Sequence, residues 1–309
     1  CEHNGARVAP GAGRADGGPG LRAPWLAPRP TWMAALPLAA FNLDRHPGYA
    51  WFSQALNLWS PYQFNPLGDN PLRAVVARHV REPALRQPGG PKLFVTATAV
   101  QTGQPRVFSG ADLSIDALLA SACLPQLFKA VRVDGVDYWD GGYSGNPALW
   151  PLVYDTPASD VLLVRIDPLV RPGVPSTAAA IADRVNEISF NAALVAEMRA
   201  IHFVKRLLDE GRVDPAQYRA LRLHAIADDD ALAPLNASSK LNTERRLLER
   251  LHALGRGAAD RWLKAHRGDL GVRGTLDPAS AFLAPRGGAA ATLSRAPGGR
   301  RPARPGAAP

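Results

Sequence analysis

Short strand-like apolar runs alternate with helical periodicities along the middle of this chain, and that alternation sets the fold class it can reach. Lys92 to Val100 (KLFVTATAV) is compact and rich in β-branched residues, the signature of a buried strand. Gln101-Thr102-Gly103-Gln104 turns it, and Pro105 to Phe108 returns as a short strand. Val131 to Val133, the Asp134-Gly135 turn and Tyr138-Trp139 read as a small hairpin. Val161 to Ile166 (VLLVRI) is nearly continuous in apolar residues, which suits a strand covered on both faces. Leu221 to Ile226 alternates like a further strand.

Helical patterns fill the intervals. Tyr49 to Trp59 predicts a helix with aromatic weight. Three prolines, Pro61, Pro66 and Pro71, then argue against regular structure from Ser60 to Leu67. Pro71 to Val80 reads as a short helix. Leu113 to Cys123 follows, capped by Ser114, with Ile115, Leu118, Leu119 and Ala122 on one face and Pro125 just past its end. Thr177 to Leu208 repeats apolar residues in steps of three and four: Ile181, Val185, Ile188, Ala192, Val195, Met198 and Ile201. Asn242 to His266 does the same with Leu247, Leu251, Leu254, Ala258 and Trp262. Strands alternating with helices predict an α/β fold, a partial three-layer α/β/α sandwich with a mainly parallel sheet.

Composition bounds the rest. A chain of 309 residues with 46% apolar content holds one large core or at most two domains. Residues 1–30 are rich in Gly, Pro, Ala and Arg with no period, and are expected to be low-complexity and disordered. Residues 285–309 read as an Arg/Pro/Gly/Ala-rich disordered tail, leaving 31–284 as the folded part. The net charge of +9 comes from an Arg-heavy basic set. With Ala, Gly and Pro also abundant, it reads as compositional bias, and no specific nucleic-acid partner is expected. Cys1 and Cys123 are too few and too far apart for a disulfide framework or a zinc site, and Cys123 reads as a buried thiol. No apolar run approaches a membrane span. The expected compartment is the cytoplasm, with peripheral contact to a membrane surface left open.

One segment carries chemistry. In Asp137-Tyr138-Trp139-Asp140-Gly141-Gly142-Tyr143 the two glycines let the backbone turn sharply and approach other groups closely. A carboxylate held just before such a turn can orient or deprotonate a hydroxyl. By itself the pattern also fits an ordinary Asp-Gly turn.

Its neighbours narrow the choice. Phe94-Val95-Thr96-Ala97-Thr98, the return at Arg106-Val107-Phe108, Ala120-Ser121-Ala122-Cys123-Leu124-Pro125 and Asp140-Gly141-Gly142 occur in that order at compact spacing. Together with Ser60 to Leu72 (SPYQFNPLGDNPL), this resembles the second half of the patatin-like phospholipase domain, over about residues 35–270. The resemblance implies hydrolysis of lipid acyl esters by a Ser–Asp dyad with no metal or organic cofactor. It makes Asp140 the dyad aspartate and general base, with Gly141 and Gly142 as its supporting turn. It implies a lipid or ester substrate, and leaves the oligomeric state open.

The sequence departs from the family in one large respect. No serine lies in Gly-x-Ser-x-Gly, so no nucleophile is identified. Ser144 has glycine one position too early and sits on the same loop as Asp140. Asp16-Gly17-Gly18-Pro19-Gly20 is similar to the family's oxyanion loop only in its glycines, because Pro19 removes a needed N–H. Two origins fit: a gene truncated or misread at its start, or a recorded chain that begins inside the real protein. Either reading predicts an inactive chain with exposed apolar surface. The rival is a non-catalytic remnant that binds lipid or acts as an interaction module, with Trp51, Phe52, Trp59, Tyr62 and Phe64 lining an acyl groove or serving as packing. Asp134, Asp137 and Asp140, spaced by three, weakly suggest a cation loop, but hairpin positions three apart point to opposite faces. No metal ligand is assigned. Asp228-Asp229-Asp230 reads as a solvated loop.

Overall fold

The computed structural model describes residues 37–284, apart from Pro88 and Pro172. The tails expected at 1–30 and 285–309, and the glycine run at 16–20, lie outside the described residues. Prolines begin the first helices: α1 (Pro47–Leu58), α2 (Pro61–Phe64) and α3 (Pro71–His79) each carry one in the first turn, as does α4 (Glu82–Leu85). This corrects the expectation that the prolines exclude regular structure from Ser60 to Leu67, while the short helix expected from Pro71 is present. A proline at the first helical position loses an N–H that has no intrahelical partner anyway. The Gln63 side chain also reaches back to accept from Ser60 N at 2.8 Å.

Strands β1 (Phe94–Ala99) and β2 (Pro105–Ser109), helix α5 (Ile115–Ser121), and strands β3 (Val131–Val133) and β4 (Val136–Asp140) form the next unit. Its sheet has the order β2-β1-β4-β3, and every pairing in it is antiparallel. Ser114 caps α5 by accepting from Ala117 N. The buried face of α5 is Ala117, Leu119 and Ala120; Ala122, expected on that face, is exposed. These buried residues pack with Val95, Ala97, Phe108, Leu113 and Tyr138 into the first core. The small alanines let the helix lie close to β1.

The chain continues through α6 (Trp150–Asp155), β5 (Asp160–Val164), the 32-residue α7 (Ala178–Asp209), β6 (Arg222–Ile226), α8 (Asp229–Leu232) and α9 (Arg245–His266). β5 and β6 pair in parallel as a separate two-stranded sheet, joined by the long crossover that parallel pairing requires. Leu149, Val161, Leu163, Leu194, Met198 and Leu223 form the core beneath it. Burying a side chain such as Met198, which is fully enclosed, contributes about 1.5–3 kcal/mol. The predicted stripe of α9 is also present: Leu247, Ala258 and Trp262 are buried, and Leu251 and Leu254 pack beside Leu38 and Phe41.

The sandwich with a mainly parallel sheet is therefore overturned. Two short turns decide the matter. The turn after β1 and the Asp134-Gly135 turn, with φ of 50° and 81°, can only return a strand antiparallel to its neighbour. β5 is likewise not covered on both faces. Val161 and Leu163 are buried, whereas Leu162, Val164 and Ile166 are exposed. Ile181, Val185 and Ile188 of α7 are exposed as well, so the expected exposed apolar surface is present. The Asp228–Asp230 run is not a free loop. Asp228 caps α8 and pairs with Arg261, and Asp229 holds Arg165 through both carboxylate oxygens.

A buried histidine secures the end of the second sheet. His224 Nε2 lies 3.1 Å from Asp160 Oδ1 and Nδ1 lies 3.0 Å from Thr275 Oγ1, while Thr275 N and Leu276 N both donate to Leu223 O. Arg222, with Gly271 N and His224, holds the Asp160 carboxyl well below the usual carboxylate range.

Candidate active site

Asp140 is the last residue of β4, opposite Ala97 of β1. Four groups fix it. Asp140 N donates to Cys123 O at 2.8 Å, tying the strand end to the end of α5. Asp140 O accepts from the Thr98 hydroxyl at 2.8 Å. The carboxylate Oδ1 accepts from Gly142 N at 2.7 Å, which caps the 3-10 turn Gly141–Tyr143. Lys240, arriving from the distant turn Ala237–Leu241, adds a favourable charge.

Both glycines are required by close approach. A Cβ on Gly141 would lie 2.0 Å from Thr96 O, and one on Gly142 would lie 2.2 Å from the Phe190 ring. Phe190 belongs to α7 and also stacks edge-on against Tyr143, at 4.9 Å between centroids. The turn is thus pressed between β1 and α7.

Burial raises the Asp140 carboxyl above its ordinary value of 3.8, with the Gly142 N–H and Lys240 acting in the opposite direction. A raised folded value means that this group contributes stability below its unfolded pKa and loses that contribution as pH rises through the folded value. Asp140→Asn keeps an oxygen for Gly142 N and removes the charge. The variant is expected to melt above the parent at neutral pH, with the gap closing as pH falls toward 3.8. Melting curves across that range check this; a variant that melts below the parent at neutral pH would reverse the sign.

Nearby groups are poor nucleophiles as placed. Thr98 has one proton, given to Asp140 O, so the 2.7 Å contact between Thr98 and Ser144 has Ser144 donating. The Ser144 proton therefore points to Thr98 rather than to the carboxylate. Cys123 is buried, its Sγ lies 3.1 Å from Lys129 O, and burial pushes its thiol up to about 11. The buried thiol read from the sequence is what the structure shows. Asp134 pairs with Arg106 and Asp137 with Gln101, so the three aspartates spaced by three serve different partners. Among the described residues no group of three or more His, Cys, Asp or Glu could hold a metal ion.

An open cleft of about 610 Å³ adjoins the turn, lined by Thr98, Val100, Pro125, Trp139 and Tyr143 among others. Most of the exposed lining is apolar. Sequence reasoning found Asp140, Gly141 and Gly142. It quoted Thr98 only as part of a strand block without a role at the site, and it missed Phe190, which reaches the turn from a remote position and carries no local motif.

The patatin-like phospholipase family model matches residues 40–153, a span that contains α1 through β4, Asp140 and both glycines. Over that segment the chain is similar to patatin-like phospholipases. The match stops within α6, short of the residue 270 that the sequence blocks implied. No curated protein matches the chain.

Proposed function

We propose that this chain carries the base half of a lipid acyl hydrolase centre, with Asp140 as the base, and does not turn over by itself because it presents no serine to that base. The observation behind this is a partly desolvated carboxylate on a rigid Gly-Gly turn, beside an apolar cleft, within the patatin-like segment. In the reaction such a base supports, Asp140 takes the proton of a serine hydroxyl as its oxygen attacks the ester carbonyl. The tetrahedral intermediate collapses, the C–O bond to the alcohol breaks, and the alcohol leaves with that proton. Water then attacks the acyl-serine, giving its proton to Asp140, and the acid departs as the serine oxygen recovers a proton. These steps need no cofactor.

The test is a chimera that joins the oxyanion loop and serine elbow of an active patatin-like phospholipase ahead of residue 37. Hydrolysis of a short-chain p-nitrophenyl ester by the chimera, with none by the parent chain, supports the reading. Hydrolysis by the parent would show that a nucleophile is present after all.

A second reading, a non-catalytic lipid-binding module, is favoured by the outward-facing aromatics of α1 and α2. In either reading the working place is the cytoplasmic face of a lipid surface, reached peripherally. No described helix is long and apolar enough to cross a membrane.

A further inference from the structure

Tyr143 supplies the only side chain of the turn Gly141–Tyr143, and the proposed chemistry does not use it. Its ring packs edge-on against Phe190 at 4.9 Å. The ring is held, but the hydroxyl at its tip is enclosed and has no hydrogen-bond partner among the described residues. Buried polar groups are paired as a rule, and one left unpaired carries the full cost of losing its water. The neighbouring hydroxyls of Thr98 and Ser144 do not share this condition, because each is bonded to the other.

Tyr143 also lines the open cleft beside the turn. The side chain that lies against its hydroxyl is Gln126, which lines the same cleft and is exposed. Gln126 favours the ionised hydroxyl without standing in hydrogen-bonding geometry to it. A surface glutamine can leave by rotating about its own side-chain bonds, which packed core cannot. The rest of the lining carries no charge, and most of its exposed surface is apolar. Burial, and after it the nearby Asp140 carboxylate, raise the Tyr143 hydroxyl above its ordinary value of 10.0, with Gln126 acting the other way. The hydroxyl is therefore a protonated donor at neutral pH. The same carboxylate repels an anion brought to this end of the cleft.

We infer that the Tyr143 hydroxyl is the hydrogen-bond donor that holds a ligand in this cleft, receiving the carbonyl oxygen of an uncharged acyl ester once Gln126 swings aside. One donor in an otherwise apolar cleft orients a ligand with an apolar body and one acceptor oxygen. A phosphate headgroup would find no cation in the lining and would meet the Asp140 charge. The inference rests on the reading that an acyl ester is bound beside Asp140. It adds the group that holds the ester and a preference for uncharged ones.

The experiment is titration of the whole chain with two ligands, followed by nuclear magnetic resonance of the ligand. Methyl hexyl ketone offers a carbonyl and no leaving group; octyl phosphate offers an anion on a chain of similar length. The parent should bind the ketone more tightly than the phosphate. Tyr143→Phe keeps the ring and its contact with Phe190. It should weaken ketone binding about three- to tenfold, the worth of one neutral hydrogen bond, and melt no lower than the parent, because no internal bond is lost. Gln126→Ala removes the cover and should bind the ketone at least as tightly as the parent does. Tighter binding of the phosphate overturns the inference and assigns the cleft to a charged headgroup. A parent that ignores the ketone, or a Tyr143→Phe chain that binds it unchanged, overturns it too. So does a Tyr143→Phe chain that melts clearly below the parent, which gives the hydroxyl an internal partner. A loss in Gln126→Ala as large as that in Tyr143→Phe also overturns it and makes the glutamine the donor. Binding is read here without turnover, whereas the base assignment is read by turnover of the chimera, so the two can fail separately.

Discussion

Replacing Asp140 by Asn in a chimera supplied with a serine elbow should lower ester turnover by about 10²–10⁴-fold, the usual contribution of a positioned general base. The amide keeps the Gly142 N contact, so the turn should hold its shape while the proton acceptor is lost. Substrate affinity should change little, because the carboxylate acts on the serine proton rather than on the bound ester. The pH profile offers a second readout. Burial raises the Asp140 carboxyl, so the acidic limb of activity should lie above the ordinary aspartate value, and the Asn variant should lose that limb. Equal rates for the two chimeras would remove Asp140 from the mechanism.

Gly141→Ala should destabilise the fold by about 1–3 kcal/mol or more, the range for forcing extra atoms into a packed site. The added methyl would meet Thr96 O at 2.0 Å and Thr96 C at 2.6 Å. Those are main-chain atoms of β1, held in register on one side by β2 and on the other by β4. Neither can swing aside as a flexible side chain would. For a domain of this size the melting point should fall by roughly 2–4 °C per kcal/mol. Gly142→Ala makes a useful comparison, because its methyl meets the Phe190 ring, which can rotate or shift with α7. A Gly141→Ala chain that melts with the parent would mean that the β1–β4 spacing is looser than described.

The base and its turn were legible because their signal is local: an acid, two glycines, and flanking blocks in a fixed order. The hairpins are legible too, yet strand–helix alternation suggests a parallel sheet where the short turns at Gly103 and Asp134-Gly135 impose antiparallel pairing. Periodicity located the stripe of α7 but not the way it faces. Ile181, Val185 and Ile188 have the same spacing as a buried face and lie exposed. Val161 to Ile166 reads as covered on both sides because apolar content alone does not say what neighbours will be present. Phe190 was out of reach for a different reason: it reaches the turn by tertiary packing, and nothing in its own neighbourhood marks it.

Phe190 has a further bearing on what the smallest competent piece of this protein is. It roofs Gly142 from α7, and within about 12 Å further along that helix Leu194 and Met198 are seated in the core of the parallel sheet. The ceiling over the carboxylate is therefore anchored in a part of the chain that the family match does not reach. A fragment cut at residues 40–153 would keep every residue of the recognisable motif and lose the helix that presses it into shape. The motif is a segment of sequence, but the site is a joint between two layers, and only a piece that includes β6 preserves it.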